Sequence, residues 1–459
     1  MKTAFVYDKW FSSLGGGEVV AGHLALGLQK LGYQTTIITG LPTSLSQAKK
    51  ILKLDLSGIN IIESFNDQLQ INRLTKEADI FINSSFWDYT TSLAKKNYYY
   101  CFFPTPIKNN FFKLLLSKLI IPYEKTPNGY IFYNLNPQKT YTINFSQTLS
   151  DYSKTKLLQS QPHLVNAKII NKIVNVNHFK NRLDYRFTYS PITNSALLNT
   201  SSDVIISHLP FQNKLFSILR SGTFPDLKQR LTQFDKIFVT SEYTQSWVKK
   251  YWQQGSALLY PPVTPVTPKP TIKKNSIFSV GRFFVAGHNK KQDIMISAFK
   301  QLCDSGLKGW ELHLAGGLNQ EPASQQYFLQ LQKSSINYPI YLHPNKSRSV
   351  VEKLFLESKI YWHAAGFGLD KNRYPERFEH FGITPVEAMS AGCIPLVYNG
   401  GGLTEVIKQA SLNHSMHTFN TLDELVTLTQ NLINSSTTFK PKKLFSTTDF
   451  YNQLRTYLK

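Results

Sequence analysis

Cysteine, arginine, acidic side chains and long apolar runs are all scarce in this sequence. Its 459 residues include three cysteines: Cys101, Cys303 and Cys393, far apart and in no Cys-x-x-Cys or metal-ligand spacing. A disulfide scaffold is thereby excluded, and a reducing compartment suits the chain. No run of apolar residues is long enough to predict a membrane-spanning helix. The N-terminus, MKTAFVYDKWFSSLGGGE, reaches Asp8 before an apolar region forms, so it does not read as a secretory leader. A cytoplasmic protein is expected. Only 29 Asp and Glu stand against 51 Lys and Arg, a formal net charge of +22. Only 10 of those basic residues are Arg, the side chain best suited to reading base edges. With no nucleic-acid motif beside them, no nucleic-acid partner is expected.

The basic excess is uneven. Residues 89–186 hold 14 Lys and Arg against Glu124, Asp151 and Asp184, so this one stretch supplies half of the net charge. Within it, KNNFFKLLLSKLIIPYEK interleaves Lys108, Lys113 and Lys118 with Phe and Leu. Such a segment can lie on an anionic membrane surface or face an anionic acceptor, or it can be a solvated lysine face over ordinary core.

Apolar patterning organises the rest. Thr3–Tyr7 reads as a strand, Gly15-Gly16-Gly17 as a loop, the run from Glu18 to Gly32 as a helix and Thr35–Thr39 as a second strand: one βαβ unit. Further strands are expected at 80–82, 98–102, 204–206 and 236–239, with short strands or an insertion between about 124 and 200. The proline-rich YPPVTPVTPKP at 260–270 cannot continue a helix or a central strand and is expected to be a linker. Beyond it, strands at 277–280, 311–314, 340–342, 360–362 and 394–397 alternate with helices at 291–303, 322–333, 347–358 and 383–391. Alternation of this kind makes a parallel sheet covered on both faces. The fold class is therefore α/β, with two Rossmann-like halves and ligands at the carboxyl ends of their strands.

Three constellations carry chemistry. Gly16 and Gly17, before the first helix, let backbone N–H groups approach a phosphate, although a plain turn has the same composition. Arg282 follows a strand end and Lys290 precedes the next helix; together they can balance a diphosphate. Glu379 and Glu387 flank Phe381-Gly382 at the start of a helix, where carboxylates can accept from sugar hydroxyls or simply complement the helix dipole. Gly400-Gly401-Gly402 reads as a second loop suited to close ligand approach. His363, just after a strand, either lines the same site or is a buried, bonded histidine.

The spacing Glu379-x7-Glu387, with Phe381-Gly382, Ala388-Met389, Ala391-Gly392 and Gly401-Gly402, resembles the signature of the family 4 retaining glycosyltransferases. Ser279-Val280-Gly281-Arg282 with Lys290 and Asp293 is similar to the same family's C-terminal domain, and Thr240–Thr244 and Leu259–Val263 resemble the end of its N-terminal domain. His380–Ile383 and Tyr260–Val263 look most like the branch of lipid-linked-oligosaccharide mannosyltransferases. The resemblance covers roughly 1–40 and 235–410.

It implies a GT-B fold: two Rossmann-like domains facing each other across a cleft. Residues 1–262 would form the acceptor-side domain, with a diverged segment at about 105–230. Residues 272–438 would form the donor domain, and 439–459 a helix crossing back. It also implies a nucleotide-sugar donor, GDP-mannose for this branch, and a glycan or lipid-linked acceptor, with the chain peripheral to the inner face of a membrane. Arg282, Lys290 and Glu379 would be catalytic. Gly16, Gly17, His363, Phe381, Gly382, Ile383 and Glu387 would help bind the donor. No cofactor or metal is implied, and the sequence contains no Asp-x-Asp. In one departure, Phe102 stands where the family often has a histidine near the donor sugar. That leaves relaxed chemistry, another supplier such as His208, or an inactive protein that binds anionic lipid, glycan or a partner.

Overall fold

The computed structural model describes residues 2–13, 15–40, 45–63, 68–107, 123–126, 129–132, 142–145, 186–190, 195–199, 204–207, 227–267, 271–285, 287, 289–435 and 438–458. The chain divides into two compact units. One comprises 1–100, 104–237 and 251–254; the other comprises 101–103, 238–250 and 255–459.

The first unit is built on a parallel sheet of β1 (Thr3–Tyr7), β2 (Gln34–Thr39), β3 (Asn60–Glu63), β4 (Ile80–Asn83) and β5 (Lys96–Cys101), in the order β5-β4-β1-β2-β3. The helix Gly16–Lys30 connects β1 to β2, and Val20, Leu24 and Leu28 on its inner face are buried. The chain pairs outward from β1 through β2 to β3, then returns to the other side of β1 with β4. Tyr7, Ile38, Ile71 and Phe81 form a core cluster on this sheet.

The tract in which short strands were expected contains β6 (Tyr123–Thr126), β7 (Gly129–Phe132), β8 (Thr142–Phe145), β9 (Arg186–Ser190), β10 (Ser195–Asn199) and β11 (Val204–Ser207). They are antiparallel, in a four-stranded sheet β6-β7-β10-β9 and a pair β11-β8. The 204–206 run is thus a strand, but not one of the parallel set. Lys108, Lys113, Lys118 and His208 lie outside the described residues.

The second unit contains β12 (Lys236–Val239, which begins in the first) paired in parallel with β13 (Ala257–Leu258). Its main sheet comprises β14 (Lys274–Val280), β15 (Glu311–Gly316), β16 (Ile340–Pro344), β17 (Ser358–His363), β18 (Ile394–Tyr398) and β19 (Thr418–Phe419). The order is β16-β15-β14-β17-β18-β19, all parallel. Successive residues of a strand point to opposite faces, and both faces here are apolar. Ile277, Ile360 and Trp362 face one core, while Phe278 and Tyr361 face the other.

The proline-rich stretch is irregular, as expected, but it is not a free linker. Val263 and Val266 are buried, with the Val263 N–H donating to Phe445 O at 2.8 Å and the Val266 N–H to Ser390 Oγ at 2.9 Å. Proline removes the ladder donors, yet the intervening valines still have apolar surface to bury, and they bury it on the second unit. The helix Thr447–Leu458 closes the described chain. Its Tyr457 hydroxyl donates to Leu258 O at 3.0 Å.

Candidate functional site

In the second unit the chain winds outward from β14 through β15 to β16, then crosses back to β17 on the other side of β14. The loops leaving β14 and β17 therefore diverge, and the gap between them is where open α/β sheets take ligands. Those two loops carry Arg282 and Lys290 on one side, and His363 and Glu379 on the other.

Close backbone packing positions the first loop. A Cβ on Gly316, at the end of β15, would lie 1.9 Å from Gly281 O, and a Cβ on Gly281 would lie 2.4 Å from Lys290 Cγ. The aliphatic stem of Lys290 thus runs over Gly281 because nothing stands in its way. Gln292, buried at the start of the helix Gln292–Asp304, donates from Nε2 to Gly281 O at 3.1 Å and to Arg282 O at 3.2 Å. The loop is pinned by its backbone, while the Arg282 side chain is exposed. Its guanidinium lies 5.8 Å from the Phe284 ring centroid, and no carboxylate among the described residues pairs with it.

Lys290 and Glu379 form an ion pair, and Glu379 Oε2 is also 2.9 Å from His363 Nε2. His363 is 2% exposed. Burial opposes ionisation of Glu379, but the Lys290 charge and the His363 hydrogen bond outweigh it and hold the carboxyl well below its usual range. Burial pushes His363 down, with the nearby Glu379 opposing. A neutral imidazole beside a carboxylate must donate, so Nε2 carries the proton. Of the two readings open for His363, the structure shows a buried, bonded histidine, and its partner is a candidate site residue.

The loop that carries Glu379 is braced from behind. Gly401, at φ +64°, and Gly402 press against it: added Cβ atoms would lie 2.2 Å from Glu379 O and 2.3 Å from His380 O. The Gly402 N–H donates to Glu379 O at 2.8 Å. The triple glycine therefore allows close approach to the chain itself. Gly382, at φ +103°, caps the helix Ile383–Ser390. Phe381 is 3% exposed, in a cluster with Val263, Met389 and Val406 against which Ile383 also packs. Its ring is core. Tyr361 donates to Thr384 Oγ1 at 2.7 Å, tying that helix start to β17.

Glu387 is buried one turn into the same helix and pairs with Arg348, Nη2 to Oε1 at 2.5 Å. Arg348 opens the helix Arg348–Glu357 and also bonds Glu352 at 3.0 Å. Sequence reasoning missed Arg348, since a lone Arg in Ser347-Arg348-Ser349 carries no motif. The structure brings Lys290, His363 and Glu379 into one hydrogen-bonded set and gives Glu387 a guanidinium partner. Gly16 and Gly17 lie at the start of the helix Gly16–Lys30 in the first unit, where the Gly15 N–H donates to Glu18 Oε2 at 2.6 Å. Phe102 is partly buried, and its carbonyl accepts from Thr244 Oγ1 at 3.1 Å. Among the described residues no His, Cys, Asp and Glu cluster is suited to a metal, and no helix is long and apolar enough to cross a membrane.

Residues 267–440, which hold this site, match the family described as Glycosyl transferases group 1. A curated relative, the alpha-1,3/1,6-mannosyltransferase ALG2 of Candida glabrata, is 24% identical over 215 residues. The match takes in 40% of this chain and 46% of the relative, so the chain spans less than half of that protein. Among solved structures, HepE of Anabaena in complex with UDP and glucose superposes with a TM-score of 0.54 at 11% identity, over 100% of this chain and 99% of that one. A glycosyltransferase from Rickettsia africae gives 0.54 at 12% identity, over 100% and 98%. These likenesses establish a shared fold with two Rossmann-like α/β sheets.

Proposed function

We propose that this chain, whose residues 267–440 match the group 1 glycosyltransferases, moves a hexose from a nucleotide-sugar donor onto a glycan or lipid-linked acceptor, with retention at the anomeric carbon. The observation that carries the reading is the switch-point set of the second unit: exposed Arg282, the Lys290–Glu379–His363 cluster and the Arg348–Glu387 pair.

Each part suits one part of such a donor. Arg282 and Lys290 meet the diphosphate. In transfer, the acceptor oxygen bonds to the anomeric carbon as the bond from that carbon to the diphosphate breaks. The nucleoside diphosphate leaves with the electron pair, and the acceptor proton passes to a phosphate oxygen. Charge grows on the leaving group, and two cations fixed beside it stabilise that change more than the ground state. Glu379, kept ionised, accepts from sugar hydroxyls, with His363 fixing its orientation. Glu387 accepts from the ribose. No step calls for a metal. The mannosyltransferase named among the relatives favours mannose, and hence GDP-mannose, as the donor. An anionic acceptor or membrane surface is the natural use for the basic stretch at 89–186, at the inner face of a membrane.

Purified protein should release nucleoside diphosphate and label an acceptor when given a radiolabelled nucleotide sugar. Arg282→Ala and Glu387→Ala should each lower turnover by about a hundredfold. Undiminished turnover in both variants would remove the roles assigned here.

A further inference from the structure

The second unit holds a cavity at the opposite end of its sheet from Arg282 and Glu379. Those two residues follow the carboxyl ends of β14 and β17; the cavity lies at the amino ends of the strands. Lys273 and Asn275 flank the first residue of β14, Trp310 directly precedes β15, Lys359 and Ile360 lie at the start of β17, and Ile394 begins β18. Leu432 and Ile433, in the last turn of the helix Leu422–Asn434, close the wall. The length of β14 sets the two ends about 20 Å apart. The cavity encloses about 450 Å³, a volume ordinary for a small-molecule site.

Its walls are mostly aliphatic. Ile360 and Ile394 are buried, and Leu432 and Ile433 pack only partly against the core cluster that contains Ile360 and Trp310. Two lysines border the cavity, and no carboxylate does among the described residues. The two lysines differ in what they have left to offer. Lys273 donates to the carbonyls of Phe355, Ser358 and Ala391, which engage all of its N–H groups. Lys359 is exposed. It donates to Asn275 Oδ1 at 2.7 Å, and its ammonium lies 5.7 Å from the Trp310 ring centroid. An ammonium carries three donors and cannot accept. Lys359 therefore keeps donors to spare, and Asn275 must turn its oxygen towards it, leaving the Asn275 amide N–H groups for another acceptor.

The groups present select among ligands. The many hydroxyls of a sugar both donate and accept, and aliphatic walls pair with none of them. A nucleotide brings several charges and a polar base edge to a place with one uncommitted ammonium. An acyl chain ending in a carboxylate meets every feature. Its chain covers the apolar wall, and its two oxygens accept from Lys359 and Asn275.

We propose that this cavity is a binding site for a single-chain acyl carboxylate, with the chain against Trp310, Ile394 and Leu432 and the carboxylate on Lys359 and Asn275. The site shares no residue with the set assigned to the donor, and it stands or falls independently of the transfer reading.

The test uses the full chain with decanoate, and with decanol as its uncharged counterpart, followed by calorimetric titration and saturation-transfer NMR. Decanoate should bind saturably with a dissociation constant below about 1 mM, and decanol about tenfold more weakly. Lys359→Gln should weaken decanoate by about tenfold, and Lys359→Arg should keep most of the affinity. Asn275→Asp, which sets a carboxylate beside Lys359, and Thr438→Trp, which fills the rim of the cavity, should each weaken it at least as much. All three positions are exposed, so the thermal midpoints should stay native. GDP and UDP should not displace decanoate. No saturable binding below about 1 mM, equal affinity for decanol, native affinity in both Lys359→Gln and Thr438→Trp, or displacement by GDP or UDP overturns the proposal.

Discussion

Arg348 shows how much of this site depends on a residue with no signature. Glu387 is buried in a helix, and a buried carboxylate needs a compensating charge. Arg348 supplies it from a different helix, at 2.5 Å. The guanidinium thus fixes where the carboxylate points, which makes it a positioning residue for whatever Glu387 holds. If that is a ribose, Arg348→Met should raise the dissociation constants of GDP and UDP by about tenfold and leave inhibition by pyrophosphate unchanged, because Arg282 and Lys290 are untouched. Equal losses for the nucleotides and for pyrophosphate would contradict this role. The glycines teach a related lesson. Gly281, Gly401 and Gly402 are visible in the sequence as loop residues, but what each one approaches is not. In all three cases it is the chain itself, because a glycine reports only that something comes close.

At the scale of elements, strands and helices of the second unit were legible in sequence because their apolar patterns are long and regular. The helices expected at 291–303, 322–333, 347–358 and 383–391 are found at Gln292–Asp304, Pro322–Ser335, Arg348–Glu357 and Ile383–Ser390. Short elements with weak periodicity, such as β3 and β19, were not. Nor did sequence show how helices are tied together. The Lys273 ammonium donates to Phe355 O at 3.1 Å, Ser358 O at 2.8 Å and Ala391 O at 2.8 Å. Those carbonyls lie at the C-terminal ends of Arg348–Glu357 and Ile383–Ser390, where helices leave acceptors unpaired and favour a cation. One lysine therefore joins the helix that carries Arg348 to the helix that carries Glu387. Lys273→Met should cost about 2–3 kcal/mol of stability, read as a lowered denaturation midpoint. A midpoint within error of the native value would mean the carbonyls are satisfied otherwise.

For the whole molecule, the sequence disclosed two α/β halves but not how function divides between them. Each sheet turns back across its first strand, β1 or β14, so each unit has one switch point. The side chains gathered there differ in kind. The second unit presents cations and carboxylates suited to a nucleotide sugar; the first presents the exposed indoles of Trp10 and Trp87 beside Lys9 and Asp88. Net charge cannot reveal this division, since half of the +22 falls in 89–186, a stretch that holds neither Arg282 nor Lys290. The central claim is that the second unit's switch point binds a nucleotide sugar through Arg282 and Lys290. Calorimetric titration of the full chain with GDP-mannose and UDP-glucose tests it most directly. Saturable binding of at least one donor is predicted, lost by about a hundredfold in the Arg282→Ala, Lys290→Ala double variant. Binding of neither donor, or native affinity in the double variant, would contradict it.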